Sequence, residues 1–510
     1  MAYHTVTYLF VFLPLALCLY QLVPQRTRWI VLLFFGYLFV WTFNERMVLW
    51  LIGTSLFTHY ICVWITWARE KNAYACKKIL TFGIVLLLTA WGYVKYFDFF
   101  VANLNRISEV TELFPKVQTI EVLLPIGVSF YTLQAIGYMI DVGRQRAEVC
   151  VHPGKTMLFL GFFPQIMEGP ISSYGQTADA LFRGDPIRVS NLSEGSLRIL
   201  WGLFKKLIIA DRLYVLVDKV FDHYTEYHGA VIAAAAIAYT IQLYMEFSGC
   251  MDIVIGSGWM FGIRLPENFR QPFFAVDAAD FWQRWHITLG LWLRTYVFFP
   301  VSVSKTVKRW TRFSKPRCGK YVAKIGTLAI ALFPVWLCNG LWHGARWSYI
   351  FFGMYYFVVL LLTAIFDPLR DRVLKRLHIS KDASWYKAIR ILKTWIIIFT
   401  GELFFRAEGL QIGIQMLRSM FRDFSLSQLT AENWPNMGLD RADYYAVIVA
   451  CAVVAIVEFI KEKEVLGNNF LQKMHLPVRW AIYYGLIISI VIFGAYGIGY
   501  QKVDLIYAGF

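Results

Sequence analysis

The 510-residue chain is strongly apolar, with 58% hydrophobic and only 16% charged residues. Soluble domains carry about 25% charged residues, so the composition excludes an ordinary soluble protein and indicates one embedded in a lipid bilayer. The formal net charge of +16 does not indicate nucleic-acid binding, because Lys and Arg gather between apolar runs, as in the cytoplasmic loops of membrane proteins.

The apolar runs predict a series of membrane helices, each of which needs about 20 mostly apolar residues. The first run, residues 5–23, is predicted to be a span and not a signal peptide, because no basic segment precedes it. Further spans are predicted near 29–43, 47–67, 79–95, 122–140, 155–167, 193–218, 230–262, 325–341, 346–366, 388–405, 443–460 and 479–498. The segment 281–303 is predicted to be a further, more polar helix. The sequence thus predicts an all-α polytopic bundle of roughly 11–14 transmembrane or re-entrant helices.

Basic residues predict the orientation, since Lys and Arg favour the cytoplasmic side. The strongest signal is the segment 302–324, which has no acidic residue. It contains Lys305, Lys308, Arg309, Arg312, Lys315, Arg317, Lys320 and Lys324. Placing these residues in the cytoplasm puts the N-terminus and the C-terminus outside the cell membrane. We interpret 302–324 as a solvated loop at anionic lipid headgroups, with a site for an anionic cofactor as the alternative.

Several kinds of site are not predicted. The eight Cys residues form no CxxC pair and several lie in apolar runs, so they indicate neither disulfides nor a metal site. The phosphate-binding GxxxxGK[ST] pattern, the GxSxG nucleophile motif and HExxH do not occur. We therefore predict no metal and no permanently bound cofactor.

His343 is the first candidate for catalysis. It lies between two predicted spans and has Gly340 and Gly344 close to it. Glycine permits a tight backbone and the close approach of a ligand, and irregular backbone at membrane depth is tolerated only inside protein or beside water. A neutral imidazole in this place has the chemistry of a general base. The spacing alone equally allows a turn histidine at the outer membrane surface.

His286 is the second candidate. With Trp282 and Trp285 it follows helical spacing and is predicted to share one face of a helix. Arg284 and Asp280, four residues apart, are predicted to pair. The spacing alone favours the alternative, an amphipathic helix with aromatic residues at the membrane surface.

Two acidic residues, Glu246 and Asp252, lie in the apolar run 230–262, with Ser248 between them. Six residues at about 100° each place the two acids on different faces of a regular helix. Proton relay and ion pairing with an intramembrane Arg are both open. We favour a structural role, because an unpaired buried acid costs several kcal/mol.

The chain resembles the membrane-bound O-acyltransferase (MBOAT) family, in the branch of the alginate and peptidoglycan O-acetylation membrane subunits and the D-alanyl-teichoic-acid transfer proteins. The matching segments are 124–131, 163–171, 202–206, 246–249, 267–272, 281–286, 340–344 and 403–407. One departure is the pair Met167-Glu168, where the family pattern has a smaller, less polar pair. This departure bears on the lining of the site.

The resemblance implies an MBOAT helical bundle around a central tunnel. It implies one membrane domain over 1–510, with a core of about 100–410 and additional C-terminal helices at 440–500. It also implies that His343 is the essential histidine and that His286 is the second signature histidine. The residues expected to line the tunnel or contact substrate are Trp342, Asn339, Trp285, Trp282, Arg284, Glu246 and Ser248.

The resemblance further implies transfer of an acyl group, most simply acetyl, from a cytoplasmic thioester to an extracytoplasmic acceptor. Acetyl-CoA or an acyl carrier protein would be the donor, and an extracytoplasmic SGNH-type acyltransferase the partner. The product would be an O-acetylated cell-envelope polysaccharide. D-alanyl transfer to teichoic acid stays open, as does a transporter or flippase of an envelope precursor. The last would be expected to show an inverted structural repeat.

Overall fold

A computed structural model describes residues 1–112, 115–118, 122–430, 432–463 and 474–496. This part of the chain consists of helices and turns, with one isolated backbone pairing between Phe269 and Trp285. Among the described residues, seven helices are long and apolar enough to cross a bilayer: Glu45–Lys71, Ala73–Thr111, Gly229–Met260, Lys305–His343, Trp347–Arg376, Arg441–Glu462 and Leu476–Phe493. The prediction of an all-α, multi-pass membrane protein is confirmed.

The chain divides into two compact units. The first contains Met1–Leu203 and Gly249–Glu267. Its helices are α1 (Leu13–Leu22), α2 (Arg28–Trp41), α3 (Glu45–Lys71), α4 (Ala73–Thr111), α5 (Val128–Gly143), α6 (Pro153–Gly161), α7 (Tyr174–Arg183) and α8 (Val189–Leu203). A π-helix, Tyr8–Phe12, precedes α1 and forms with it the short first apolar helix.

Close backbone contact holds α8 in the first unit. A Cβ atom on Gly195 would lie 2.6 Å from the carbonyl oxygen of Gly256, and one on Gly256 would lie 2.7 Å from that of Gly195. Small residues permit this approach in membrane helices, where van der Waals packing drives association. On one side of this contact, Arg198 pairs with Asp252 at 3.0 Å. The structural role favoured for Asp252 agrees with this ion pair.

The second unit contains Phe204–Ser248 and the described residues from Asn268 onward. It begins with a π-helix, Phe204–Ala210, and α9 (Asp211–Asp222), and it includes the first part of α10 (Gly229–Met260). The later helices are α11 (Ala278–Arg284), α12 (Ile287–Leu293), α13 (Phe299–Ser302), α14 (Lys305–His343), α15 (Trp347–Arg376), α16 (Ser384–Arg406), α17 (Leu410–Arg422), α18 (Arg441–Glu462) and α19 (Leu476–Phe493).

The prediction of one helix over 281–303 is wrong. The structure has α11, α12, a π-helix Arg294–Phe298 and the short α13 in this region. The helical course breaks at Trp285, which pairs in extended conformation with Phe269, and at His286, which has a φ of 47°. Trp282 and His286 consequently do not share a regular helical face. Periodicity did not reveal the break, because it depends on a tertiary contact with a segment about fifteen residues upstream.

The prediction of a loop over 302–324 is also wrong, since α14 begins at Lys305. Gly319, with a φ of 84°, interrupts the helix and lets the chain fold back. The indole of Trp310 donates a hydrogen bond to the carbonyl of Ala323 at 3.2 Å across this fold. All eight basic side chains are exposed. Lys and Arg are good helix formers, so a basic run does not by itself indicate a loop.

Helices α14 and α15 form an antiparallel pair in which two glycines permit close contact. A Cβ atom on Gly340 would overlap the carbonyl oxygen of Tyr349, and one on Gly353 would overlap that of Trp336. The connection between the helices is only Gly344 to Arg346. This packing places the end of α14, and with it His343, against the first turns of α15.

Candidate functional site

His343 is the last residue of α14, and its side chain is buried, with 4% of the residue exposed. Its ring packs edge-on against the ring of Phe405 at 4.9 Å and that of Phe352 at 5.8 Å between centroids. Three helices of the second unit therefore surround the imidazole. The imidazole is therefore enclosed by side chains and is not an exposed turn residue.

The indole of Trp342 lies between the two candidate histidines. Its ring centroid is 4.9 Å from that of His343 and 5.3 Å from that of His286, and both contacts are edge-on. His286 is buried as well, with 3% exposed, and also packs against Phe247 at 4.9 Å. The structure thus brings together three residues that the sequence singled out from two distant segments.

Asn268 fixes the orientation of His286. Its side-chain oxygen accepts hydrogen bonds from the Thr288 backbone N–H at 3.0 Å and from the Thr288 hydroxyl at 2.9 Å, and it lies 3.3 Å from Nδ1 of His286. The left-handed φ of His286 is uncommon for a residue with a side chain. This amide oxygen and the pairing of Phe269 with Trp285 therefore support a backbone turn that carries the imidazole.

His286 lies between α11 and α12, outside the seven candidate spans, and burial lowers its pKa to about 3. The cause is desolvation, which disfavours the charged imidazolium. With Asn268 as the acceptor for Nδ1–H, the favoured tautomer of the neutral ring carries its proton on Nδ1. His286 is therefore a neutral, oriented group at physiological pH.

Trp282 and Asn339 border an aromatic cluster next to His343. The Trp282 ring lies 4.8 Å from that of Tyr356 and 5.0 Å from that of Trp336. Asn339 is one turn from His343 on α14, and 6% of it is exposed. Phe352 contacts both Tyr356 and His343, at 5.0 and 5.8 Å, so the cluster continues to the imidazole.

The ring contacts of Trp285 and the ion pairs of Arg284 are with residues other than His343. Trp285 is buried among Phe269, Phe281 and Tyr244, and its ring contacts are with those residues. Arg284 pairs with Asp280 at 2.8 Å, as predicted, and with Glu462 of α18 at 2.7 Å. These contacts give Arg284 and Trp285 a role in holding α11 in place.

Glu246 and Ser248 lie in a buried ionic cluster on either side of Phe247. Lys206 pairs with Glu246 at 3.0 Å, and its own side chain and that of Glu246 are each 1% exposed. Lys205 donates a hydrogen bond to the Ser248 hydroxyl at 2.9 Å. Glu246 thus pairs with Lys206 of the Phe204–Ala210 π-helix, and not with the intramembrane Arg that the sequence left open.

Several residues of this site were not singled out from the sequence. Asn268, Phe352, Tyr356, Glu402 and Phe405 come from loops and helices that packing alone brings to the two histidines. Glu402 had a usable signal, because an acid inside the apolar run 388–405 is costly and marks a place to examine. Asn268 and Phe405 lie in the segments 267–272 and 403–407, which carry the family resemblance, whereas Phe352 and Tyr356 are ordinary aromatic members of an apolar helix and carry no such signal.

The comparisons with known proteins agree with the family that the motifs indicated. The model of the MBOAT, membrane-bound O-acyltransferase family, matches residues 151–314. The chain is 33% identical to a probable alginate O-acetylase AlgI of Pseudomonas aeruginosa over 86% of this chain and 78% of that protein. This similarity shows that the chain belongs to the membrane-bound O-acyltransferase family, and its enzyme class is that of an acyltransferase.

Two further relatives are named for transfer to other polymers. A peptidoglycan O-acetyltransferase of Helicobacter pylori is 28% identical over 84% of this chain and 82% of its own length. A teichoic acid D-alanyltransferase of Bacillus subtilis is 26% identical, over 48% of this chain and 59% of its own length. The similarity to the two O-acetylating proteins thus extends over much more of the chain.

Proposed function

We propose that this protein is the membrane O-acetyltransferase of a system that O-acetylates a cell-envelope polysaccharide. The observation that carries the proposal is the buried pair His286 and His343 on either side of Trp342, in a chain similar to an alginate O-acetylase over 86% of its length. The extended similarity to a peptidoglycan O-acetyltransferase supports acetyl as the group that is moved.

The proposed reaction moves an acyl group from a thioester to an alcohol. His343 accepts the proton of the acceptor hydroxyl while the oxygen of that hydroxyl attacks the thioester carbonyl. The C–O bond forms, the C–S bond breaks, and the proton passes to the leaving sulfur, so that an ester and a thiol result. Proton transfer of this kind contributes about 100- to 10,000-fold to a rate. His286, held by Asn268, positions the acyl group.

The proposed donor is acetyl-CoA from the cytoplasm. The exposed basic side chains at the start of α14 have the charge to meet its phosphates. The proposed acceptor lies outside the cell, where an SGNH-type acyltransferase would continue the transfer to the polymer. We propose that the protein lies in the cytoplasmic membrane with both termini outside, because Lys and Arg favour the cytoplasmic side. The C-terminal residues after 496 lie outside the described part of the chain.

The test compares two buried histidines. His343→Ala is expected to lower polysaccharide acetylation at least 100-fold in cells that hold normal amounts of folded protein. His59→Ala is the matched control, because His59 is also buried but hydrogen-bonds to Thr156 at 3.1 Å in the other unit. Acetylation that survives His343→Ala unchanged would remove His343 from the mechanism.

D-alanyl transfer is the second candidate, supported by the teichoic acid D-alanyltransferases among the relatives. Purified protein supplied with labelled acetyl-CoA or with a D-alanyl carrier protein separates the two. Loss of label from acetyl-CoA alone supports the proposal, and loss from the carrier alone overturns it. A transporter would consume neither thioester.

A further inference from the structure

Five buried polar atoms lie around the aromatic cluster beside His343, and each has no hydrogen-bond partner among the described residues. They are Trp282 Nε1, Asn339 Oδ1, Ser348 Oγ, Tyr356 Oη and Glu402 Oε2. Natural proteins leave only a few buried polar groups unsatisfied per 100 residues, and each such group requires an explanation. These five come from four helices, so no single local distortion accounts for them.

Contacts between the helices place these atoms in one region. Trp282 and Tyr356 are in ring contact at 4.8 Å. A Cβ atom on Gly401 would overlap the Tyr356 hydroxyl, so this hydroxyl lies against the residue that precedes Glu402. Ser348 lies two turns before Tyr356 on α15, and the intervening Phe352 contacts His343. The polar atoms and the imidazole therefore border the same part of the second unit.

Glu402 determines the charge that this region accepts. Only 1% of the residue is exposed, and no described Lys, Arg or His forms an ion pair with it. Burial without a cation favours the neutral carboxyl, because an ionised one is expensive away from water. A neutral carboxyl can both donate and accept a hydrogen bond. The set thus offers the donors and acceptors that suit an alcohol, and it does not offer a counter-charge for an ion.

We propose that these five side chains form a hydrogen-bonding subsite, beside His343, for the hydroxyl-bearing part of an uncharged ligand. This proposal adds binding residues to the proposed function. It rests on that function in one respect, namely that the acyl acceptor is an alcohol. The rings of Trp282, Trp336 and Tyr356 supply apolar surface, and the polar atoms fix orientation, as is usual in binding sites. An alcohol held there lies near the proposed base.

The test uses pairs of variants that differ in their hydrogen bonds. Tyr356→Phe removes a hydroxyl without a described partner, and Tyr355→Phe removes one that donates to the Ile397 carbonyl at 2.9 Å. Removing an unsatisfied buried group does not destabilise a protein, but removing a bonded one does. Tyr356→Phe is therefore expected to keep or raise the Tm of the purified protein, and Tyr355→Phe to lower it.

Binding is measured by saturation-transfer NMR on the full-length protein without any acyl donor, so the result does not depend on the transfer chemistry. Methyl glucoside and N-acetylserinamide are the probes, because the alcohol can come from a sugar or from a protein side chain. Tyr356→Phe and Glu402→Leu are expected to weaken binding of the preferred probe about 3- to 10-fold each, as for a lost neutral hydrogen bond. Glu402→Gln keeps a neutral hydrogen-bonding group and is therefore expected to bind the preferred probe as the wild type does.

Two results would overturn the subsite. One is that neither probe binds the wild-type protein. The other is that Tyr356→Phe and Glu402→Leu bind the probe as the wild type does, or lower the Tm as much as Tyr355→Phe. The proposed function is tested by a different measurement: it would fail if the wild-type protein did not consume acetyl-CoA.

Discussion

Asn268 is predicted to be the main support of the histidine turn, and replacing it with Ala tests this role. The substitution removes the acceptor of both Thr288 donors and the neighbour of His286 Nδ1. The Thr288 backbone N–H cannot turn to another partner, and a buried donor without an acceptor costs about 1–3 kcal/mol. The hydroxyl and the imidazole can reorient, and we assign about 0.5 kcal/mol to each. The expected loss in the free energy of unfolding is therefore about 3 kcal/mol.

The assay is equilibrium unfolding in mixed micelles, together with acetyl transfer by the same preparations. Thr288→Ala is the matched control, because it removes one of the three donors and is expected to cost about 1 kcal/mol. The double variant is expected to show a coupling of about 1 kcal/mol between the two sites. If Asn268→Ala were as stable as Thr288→Ala and transferred acetyl groups at the wild-type rate, the amide would not position His286.

Three more predictions concern the second unit. Lys206→Met is expected to lower the free energy of unfolding by about 3–5 kcal/mol, because it leaves Glu246 buried without its Lys206 partner. Adding Glu246→Leu should recover part of that loss in the same unfolding assay. Gly340→Ala is expected to cost about 1–3 kcal/mol through the overlap with a backbone carbonyl, whereas Gly485→Ala, with open space around it, should be neutral in a Tm measurement. Because the folded pKa of His286 lies near 3, below the ordinary value of 6.5, protonation of the unfolded chain should lower stability as the pH falls from 6.5 towards 3. The expected loss is about 2 kcal/mol at pH 5, and His286→Gln should abolish this part of an unfolding titration.

The apolar runs were sufficient to predict the class of fold. A bilayer requires each spanning segment to satisfy its own backbone hydrogen bonds, so length and hydropathy alone identify helices such as Glu45–Lys71 and Arg441–Glu462. The same rule fails for amphipathic helices. The basic segment from Lys305 to Lys324 is helical because its residues favour helix and because Trp310 packs against the returning arm, and neither fact appears in a hydropathy profile.

The site was predictable to the extent that its chemistry is unusual in an apolar chain. His286 and His343 were singled out because ionisable groups inside apolar segments are costly and are usually retained for function. The non-helical backbone turn at His286 was not predictable, because it depends on Asn268 and on the pairing of Phe269 with Trp285. The central tunnel and the catalytic roles remain predictions.

The sequence by itself determined that the chain is a helical membrane protein of the O-acyltransferase family. Hydropathy and short motifs each involve neighbouring residues, so they can be recognised without knowledge of the packing. Only the tertiary structure decided which side chains meet. Trp342 separates two histidines that lie 57 positions apart in the chain, and Glu402 reaches the region of Tyr356 because Gly401 lets α16 approach α15. Such contacts depend on the close packing of helices distant in sequence, for which single residues carry no signal.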